Sequence, residues 1–312
     1  MNSRIVTAWT TGPQRRPASG TLRSILAVLM LLLASAGSAQ AQGGARLAVS
    51  DTLWDIRLAA GESYVGRVVA VSGDSITLET TTGTRIQFTR AQAVRVRPAE
   101  GSLRGSAFWR DDPNDTRLFF SPTARTLRRG DGYFGVYELF IPFIAYGVTD
   151  RLLIAGGSPF YLGLSGDFTP PVYFGPKILV VSTPRFAASV GGLALVFPDD
   201  DYTETFGILY GVGTWGTSDH ALSAGAGWGY VDDEISSKPV VMVGGETRVG
   251  RSTKLITENL FVPGEGGVIA SGGVRFFGER LSADAGLAGF VGEGGGCCYP
   301  LVNFVYNFGP SR

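Results

Sequence analysis

Between residues 117 and 308, apolar residues alternate with small or polar residues in short runs, and polar segments separate the runs. Two kinds of connection between the runs alternate along the chain: short ones such as 147–150 and 216–219, and longer ones such as 161–171 and 231–239. Alternation with a period of two predicts β-strands. Short turns that alternate with long loops are typical of outer-membrane barrels, whose short turns face the periplasm. The pattern therefore predicts an all-β chain with a transmembrane antiparallel β-barrel of about twelve strands over 117–308.

A smaller block of alternating strands precedes the barrel, over residues 45–98. Its alternation, clearest at 63–71 and 75–80, is broken by Gly, Asp and Ser clusters that predict turns. About five short strands of this kind predict a small SH3-like or Sm-like β-domain with a structural or docking role. Residues 99–116 lack periodicity and contain Pro, Gly and Ser, which predicts a linker. An even number of barrel strands leaves both barrel ends in the periplasm, so we expect the small domain there.

The first 41 residues have the order of a secretory signal peptide. A basic region without acids precedes an apolar run at 25–36 and a small-residue cleavage site at 39–41. Its removal leaves 23 basic against 27 acidic residues, a net charge of −4, so nothing suggests a nucleic-acid partner. The chain is 44% hydrophobic and 17% charged with 45 glycines, a composition expected of a barrel whose outer face meets lipid. These features predict the bacterial outer membrane as the location.

Residues 211–216 match the G-x-G-x-x-G spelling of a dinucleotide-binding turn. That motif needs a helix after its last glycine, whereas here the alternation of a second strand follows. We therefore interpret Gly211 and Gly213 as small residues that face the barrel lumen. His220, the single histidine, falls beside a predicted periplasmic turn and is interpreted as a solvated side chain, without a catalytic role.

Cys297 and Cys298 are too few ligands for a zinc site. In an oxidising compartment they are either free thiols or a disulfide between neighbours. The acidic loops at 198–201 and 232–234 do not have the spacing of a calcium loop, which favours a solvated acidic rim. We predict no cofactor, no metal site and no catalytic residue.

Charged residues inside the predicted strands are the informative polar positions. Since Arg or Lys on the lipid face at the bilayer midplane costs about 2–4 kcal/mol, these side chains are expected to line the lumen. The predicted lumen-lining residues are Arg117, Arg125, Glu138, Lys177, Glu246, Arg248, Lys254, Glu258, Arg275 and Asp284. Hairpin lengths bring Arg248 opposite Lys254 and Arg275 near Asp284. The six bases and four acids either pair and close the lumen or line a narrow aqueous pore; a barrel of about twelve strands is compatible with both.

Four segments carry a resemblance to known proteins: 108–134, 145–157, 207–230 and 248–262. They include an N-x-T-R segment and tyrosine-glycine hairpins, and they are similar to an uncharacterised family of bacterial secreted and outer-membrane β-proteins. The resemblance implies a small N-terminal β-domain followed by a barrel of about twelve strands. It implies no activity and no functional residue.

These observations predict a narrow channel or passive transporter for small polar solutes. The alternatives are a structural or envelope-tethering barrel with a plugged lumen and, less favoured, a barrel hydrolase. The expected partners are outer-membrane lipid, a periplasmic partner of the 45–98 domain, and the barrel-assembly machinery. The last partner is suggested by 302–308, where aromatic and asparagine side chains alternate as in a terminal strand that closes the barrel at 117–124.

Overall fold

The computed structural model describes residues 47–159, 170–198, 203–232, 234–262, 267–292 and 296–310. The predicted signal peptide and most of the acidic loop residues lie outside these ranges. Over the described parts of the chain, no helix has the length and apolar character needed to cross a membrane.

The strands are numbered in chain order. Those that precede the barrel are β1 (Leu53–Leu58), β2 (Ser63–Ser72), β3 (Ser75–Thr80), β4 (Arg85–Thr89), β5 (Ala93–Pro98), β6 (Gly101–Arg104) and β7 (Ala107–Arg110). Those that follow are β8 (Gly132–Tyr137), β9 (Ile141–Gly147), β10 (Leu152–Gly157), β11 (Val172–Ser182), β12 (Phe186–Pro198), β13 (Thr203–Gly216), β14 (His220–Val231), β15 (Glu234–Ile235), β16 (Val240–Gly250), β17 (Thr253–Val262), β18 (Gly267–Phe277), β19 (Leu281–Val291) and β20 (Tyr299–Phe308).

The first five strands form a separate antiparallel sheet in the order β4-β3-β2-β1-β5. Their inward side chains, among them Ile56, Ile76 and Leu78, are fully buried in an apolar core. A bulge in β2 between Val68 and Ala70 bends this strand. We call this sheet the small domain. The adjoining 99–116 segment, which we predicted to be a linker, contains the β6–β7 hairpin instead.

Twelve of the described strands, β8–β14 and β16–β20, form one closed antiparallel barrel. Each pairs with its sequence neighbours, β14 pairs with β16, and β20 pairs with β8 to close the cylinder. Closure leaves no open strand edge, which is the requirement for a sheet that crosses a lipid bilayer. The predicted barrel of about twelve strands is confirmed.

The barrel begins later than we predicted. β20 closes against β8, with Asn303 opposite Tyr137 and Phe308 opposite Gly132, so the prediction of a first strand at 117–124 is wrong. The predicted number of strands is still correct, because the chain reverses direction between β8 and β9. Glu138 and Leu139 in this turn have positive φ angles of 51° and 65°. The alternation of apolar and polar residues continues through this turn, so the sequence pattern does not indicate it.

Residues 111–131, which we call the plug, run inside the barrel. Leu118, Phe119 and Ala124 are fully buried there, in an apolar cluster with side chains of four barrel strands. Glycines make room for them: a Cβ at Gly244 would lie 2.4 Å from Leu118 Cδ1, and one at Gly286 would lie 3.1 Å from Phe119 Cζ. The glycines of these strands therefore fit the plug.

The outer face of the barrel carries exposed large apolar side chains. They occur on nearly every strand and include Ile144, Ile178, Val190, Leu209, Trp228, Val243, Leu255, Phe276, Leu287 and Phe304. A soluble protein rarely exposes an apolar surface of this extent. With charged side chains inside and apolar ones outside, the chain has the sidedness of an outer-membrane β-barrel.

The barrel wall is uneven in length. The strands β8, β9 and β10 have only 6, 7 and 6 residues, whereas β12 and β13 have 13 and 14. The short strands lie side by side, and the β8–β9 turn exposes Leu139 and Phe140. The barrel wall at β8–β10 is therefore about half as long as the wall at β12 and β13.

One facing prediction in β13 is wrong. Val212 and Thr214 are buried on the inner face, whereas Leu209 and Trp215, which share a face with Gly211 and Gly213, are exposed on the outer face. We had assigned the small residues to the lumen. The plug explains why the larger residues face inward, because Val212 belongs to its apolar cluster and Thr214 accepts a hydrogen bond from the Ala124 N–H.

Candidate functional site: the filled lumen

Asp284 of β19 lies at the centre of the first ion cluster in the lumen. Its Oδ2 accepts a hydrogen bond from Arg117 Nη1 at 2.6 Å, and its Oδ1 accepts one from Arg275 Nε at 2.7 Å. Arg275 also donates to the backbone carbonyls of Asn114 and Leu118, both at 2.7 Å. Three fully buried or nearly buried charges thus join β18 and β19 to the plug.

Glu246 of β16 organises a second cluster. It accepts hydrogen bonds from Arg125 at 2.6 Å and from Lys254 at 2.9 Å. Asp112 of the plug joins the two clusters, because its Oδ2 lies 3.2 Å from Lys254 Nζ and 3.3 Å from Arg275 Nη1. Buried ions need such partners, since an isolated buried charge is strongly destabilising.

Two further lumen charges bind the plug backbone directly. Glu258 Oε2 accepts hydrogen bonds from the N–H groups of Phe119, Phe120 and Ser121, at 2.9 to 3.1 Å. Lys177 Nζ, from the other side of the barrel, donates to the carbonyl oxygens of Thr116 and Thr123 at 3.0 and 2.9 Å. A carboxylate therefore satisfies three plug donors and an ammonium satisfies two plug acceptors, as buried backbone groups require.

Neutral side chains complete the contacts around the plug. Asn307 of β20 and Asn114 exchange hydrogen bonds at 2.9 and 3.1 Å. Ser189 of β12 donates to the Ala124 carbonyl at 2.6 Å, and Tyr133 of β8 lies 3.1 Å from Thr116 Oγ1. The plug is thus bonded to strands on all sides of the barrel.

Four of the predicted lumen residues occupy other positions. Glu138 lies in the β8–β9 turn, so its assignment to a lumen-facing strand position is wrong; its Oε1 accepts a hydrogen bond from the Val302 N–H at 3.3 Å. Arg248 faces inward from β16 but lies at the short-turn end of the barrel, where it donates to Asp219 at 2.9 Å and to the Arg110 carbonyl at 2.6 Å. Arg117 and Arg125 belong to the plug itself, so their assignment to a barrel strand is wrong. The other six predicted residues reach the plug from the barrel strands.

The predicted cross-strand pairs have the expected register. Arg248 lies opposite Lys254, and Arg275 lies opposite Asp284. On β20, Phe304 and Tyr306 are exposed whereas Asn303 and Asn307 are fully buried, as the alternation predicted. The inward-facing side chains of a strand could thus be predicted wherever a charged or an aromatic residue distinguished its two faces.

The small domain contacts the short-turn end of the barrel through a cluster of arginines. Asp55, almost completely buried, accepts hydrogen bonds from Arg97 at 2.8 Å and Arg110 at 3.1 Å. Arg97 also donates to Glu279, in the β18–β19 turn, at 3.1 Å, and Arg95 pairs with the same carboxylate. Burial favours the neutral form of Asp55, but the hydrogen bond from Arg97 and the neighbouring arginine charges outweigh it and lower its pKa.

The β6–β7 hairpin makes a second contact with this end. Asp219, in the β13–β14 turn, pairs with both Arg104 of the hairpin and Arg248 of the barrel. Both guanidinium groups lie over the Trp109 ring, at 4.0 and 5.0 Å from its centroid. Burial opposes ionisation of Asp219, but its bonds with these arginines lower its pKa below the ordinary value. We call these two ionic contacts the domain junction.

The other candidate residues lie outside the lumen. His220 is exposed, and its Nδ1 lies 2.7 Å from Thr247 Oγ1. Cys297 and Cys298 form a disulfide between neighbours, one of the two states that the sequence left open. Over the described residues, no group of three or more His, Cys, Asp or Glu side chains has an arrangement that could hold a metal ion.

No family model matches the chain, and no curated protein matches it. Among solved structures, the KdgM porin shares 7% identity, covering 57% of this chain and 98% of its own, with a TM-score of 0.39. A loop-deletion mutant of OmpT, an outer membrane protein of Vibrio cholerae, shares 12% identity over 82% of this chain and 96% of its own, with a TM-score of 0.33. A mutant Rh. blastica porin shares 11% over the same fractions, with a TM-score of 0.32. The assignment of a membrane barrel rests on the chain's own closed sheet and apolar outer face.

The sequence analysis missed the plug and its acidic residue Asp112. The signal was present in the polar composition around Asn114 and in Pro113 and Pro122, which do not suit the centre of a membrane strand. The apolar run at 118–120 is also too short to span a bilayer as a strand, which needs about 9–11 residues.

Proposed function

We propose that this outer-membrane barrel is a non-enzymatic, narrow channel or passive transporter for small polar solutes, and that the plug closes it in the state described. The supporting observation is the chemistry of the lumen wall: Glu258 and Lys177 hold the plug backbone through hydrogen bonds that water can replace. A wall with this polarity becomes a path for polar solutes when the plug moves or is removed.

The surroundings of the one histidine support the proposed non-enzymatic role. His220 is exposed at a turn and its ring contacts a threonine hydroxyl, not a carboxylate that would orient it as a general base. The charged residues of the lumen are bound to the plug and to each other, which suits a structural and gating role.

Conductance of the purified protein in planar bilayers tests the channel. The intact protein should show small or infrequent openings, and a double variant that weakens the plug, Glu258→Gln with Lys177→Met, should conduct more often. The matched control is Thr257→Ala, next to Glu258 but on the outer face. If the double variant stays closed while its barrel is folded, the channel proposal fails.

A second candidate is a structural barrel with a permanently plugged lumen, whose small domain docks to a periplasmic partner. The number of plug contacts favours it, because three carboxylates and three cations of the barrel strands bind one short segment. Conductance distinguishes the two: a plug that never leaves gives no current in any folded variant.

We further propose that the short turns and the small domain face the periplasm, and that β20 is the strand read by the barrel-assembly machinery. Single cysteines at Asp150, in a short turn, and at Asp233, which the sequence predicts to be in a long loop, test the orientation after Cys297 and Cys298 are replaced by serine. Only the second should react with an impermeant thiol reagent added to whole cells. The reverse labelling would invert the proposed orientation.

A further inference from the structure

Two neighbouring cavities lie where the small domain meets the short-turn end of the barrel. The first is an apolar groove of about 610 Å³ on the outer face, lined by residues of β8, β18, β19 and β20. The second is a polar cavity of about 400 Å³ between β2 of the small domain, the hairpin and the β16–β17 turn. Ser252 lines both, so an apolar space and a polar space lie next to each other at this end of the barrel.

The apolar groove has a defined floor and walls. Ala283 of β19 forms the floor, because the residues directly opposite it on the neighbouring strands are Phe276 and Phe304. These two aromatic side chains are about half exposed and stand on either side of the small alanine. Neighbouring strands are about 4.8 Å apart, so the walls are about 10 Å apart, which accommodates an acyl chain lying along β19.

The polar cavity carries positive charge. Arg110 and Arg251 line it, together with Tyr64 and two threonines. In the described contacts Arg251 donates one guanidinium nitrogen to the Phe108 carbonyl, and Arg110 donates one to Asp55. Since a guanidinium has five N–H donors, both arginines keep capacity for an anion. At the domain junction and the adjoining cavity, six arginines outnumber the three carboxylates Asp55, Asp219 and Glu279; the arginines are Arg95, Arg97, Arg104, Arg110, Arg248 and Arg251.

We propose that these two cavities together bind one anionic phospholipid, with an acyl chain in the groove over Ala283 and the headgroup phosphate at Arg251 and Arg110. The ligand class follows from the position of an aromatic-walled apolar groove directly beside a basic cavity at a membrane surface. The site gives the small domain a role, because its β2 and the hairpin supply one wall of the headgroup cavity. Placement in the inner leaflet rests on the orientation proposed above; the site itself does not depend on conductance.

Native mass spectrometry of the full-length protein in detergent tests the site. Phosphatidylglycerol should be retained preferentially over phosphatidylcholine. Arg251→Gln, which removes one charge-assisted contact, should reduce phosphatidylglycerol retention about tenfold. Ala283→Trp, which fills the groove, should reduce retention of both lipids.

Two matched controls accompany these variants. Arg185→Gln removes an exposed arginine from a different short turn, and Ala224→Trp adds the same bulk to the outer face of β14. Neither should change lipid retention. Each variant is first checked for a heat-modifiable gel shift, and if Ala283→Trp does not fold, Arg251→Gln decides alone.

Three results would overturn the proposal. The first is equal retention of the two lipids by the unaltered protein. The second is an equal effect of Arg251→Gln and Arg185→Gln. The third is displacement of phosphatidylglycerol by soluble glycerol phosphate at the same concentration, which would mean that the cavity binds the anion alone and the groove contributes nothing.

Discussion

In the small domain, the apolar side chains of alternating strands point inward, onto Ile56 and Leu78, and the charged ones away from the domain junction point to water. In the barrel the same alternation has the opposite sense, with Arg275 and Asp284 fully buried and Leu209 and Phe304 half exposed. The surroundings account for the reversal, because lipid accepts the apolar face and the plug supplies partners for the charges. Alternation alone therefore predicts strands, and the position of the charges predicts which side faces the membrane.

The largest effect is expected from Asp284→Ala, which removes a charge from inside the barrel. Arg117 and Arg275 would remain buried without their shared carboxylate, a loss of about 3–5 kcal/mol in the free energy of unfolding. Urea unfolding in detergent, followed by the gel shift, measures it. Leu287→Ala, on the lipid face of the same strand, is the control, and equal losses in both variants would contradict the role given to the ion cluster.

A pair of exposed valines tests whether the surfaces of the barrel and of the small domain have different surroundings. Val190 of the barrel and Val94 of the small domain are 50% and 62% exposed. Val190→Lys should destabilise the barrel by about 2–4 kcal/mol because it places a charge in lipid. Val94→Lys should change the stability of the small domain by no more than about 0.5 kcal/mol. If denaturant titration showed similar effects at both positions, the outer face of β12 would not be in lipid.

Glu258→Gln should loosen the plug without opening the barrel. The amide keeps the shape and an acceptor oxygen, but it loses the charge that strengthens three backbone hydrogen bonds, a weakening of about 1.5–3 kcal/mol. Hydrogen exchange should accelerate at residues 118–124 and stay unchanged in β12. Unchanged exchange at the plug would show that its other contacts suffice to hold it.

The smallest effect is expected at the domain junction, as a dependence on pH. The lowered pKa values of Asp55 and Asp219 mean that their contribution to docking is complete above the ordinary value of 3.8 and is lost as the pH falls through the lowered values. The partly exposed pair of Arg104 with Asp219 contributes about 1 kcal/mol or less. Energy transfer between labels at Thr82 and Arg185 should therefore change only on strong acidification, and Asp55→Asn with Asp219→Asn should remove this change.

The barrel could be predicted from the sequence because the alternation of a strand and the position of its charges are local properties. Contact with lipid requires them in every strand. Hairpin lengths likewise determined that Arg275 lies opposite Asp284. The plug was beyond this reasoning, since it has no periodicity and its partners are distant: Arg117 and Asp284 are 167 positions apart. The same contacts reversed the predicted facing of Gly211 and Gly213, because a lumen packed around a plug admits valine and threonine.

The three short strands, β8 to β10, have a consequence for the surrounding bilayer. Six residues of antiparallel strand extend about 20 Å before tilt, less than the apolar band of about 25 Å that a barrel of this kind presents. Acyl chains beside this wall must shorten or tilt to cover it, at a fraction of a kcal/mol per ångström of mismatch. The protein should therefore sit in the membrane with a thinned patch on one flank, and lipids there should be more disordered and exchange faster than those around β12 and β13.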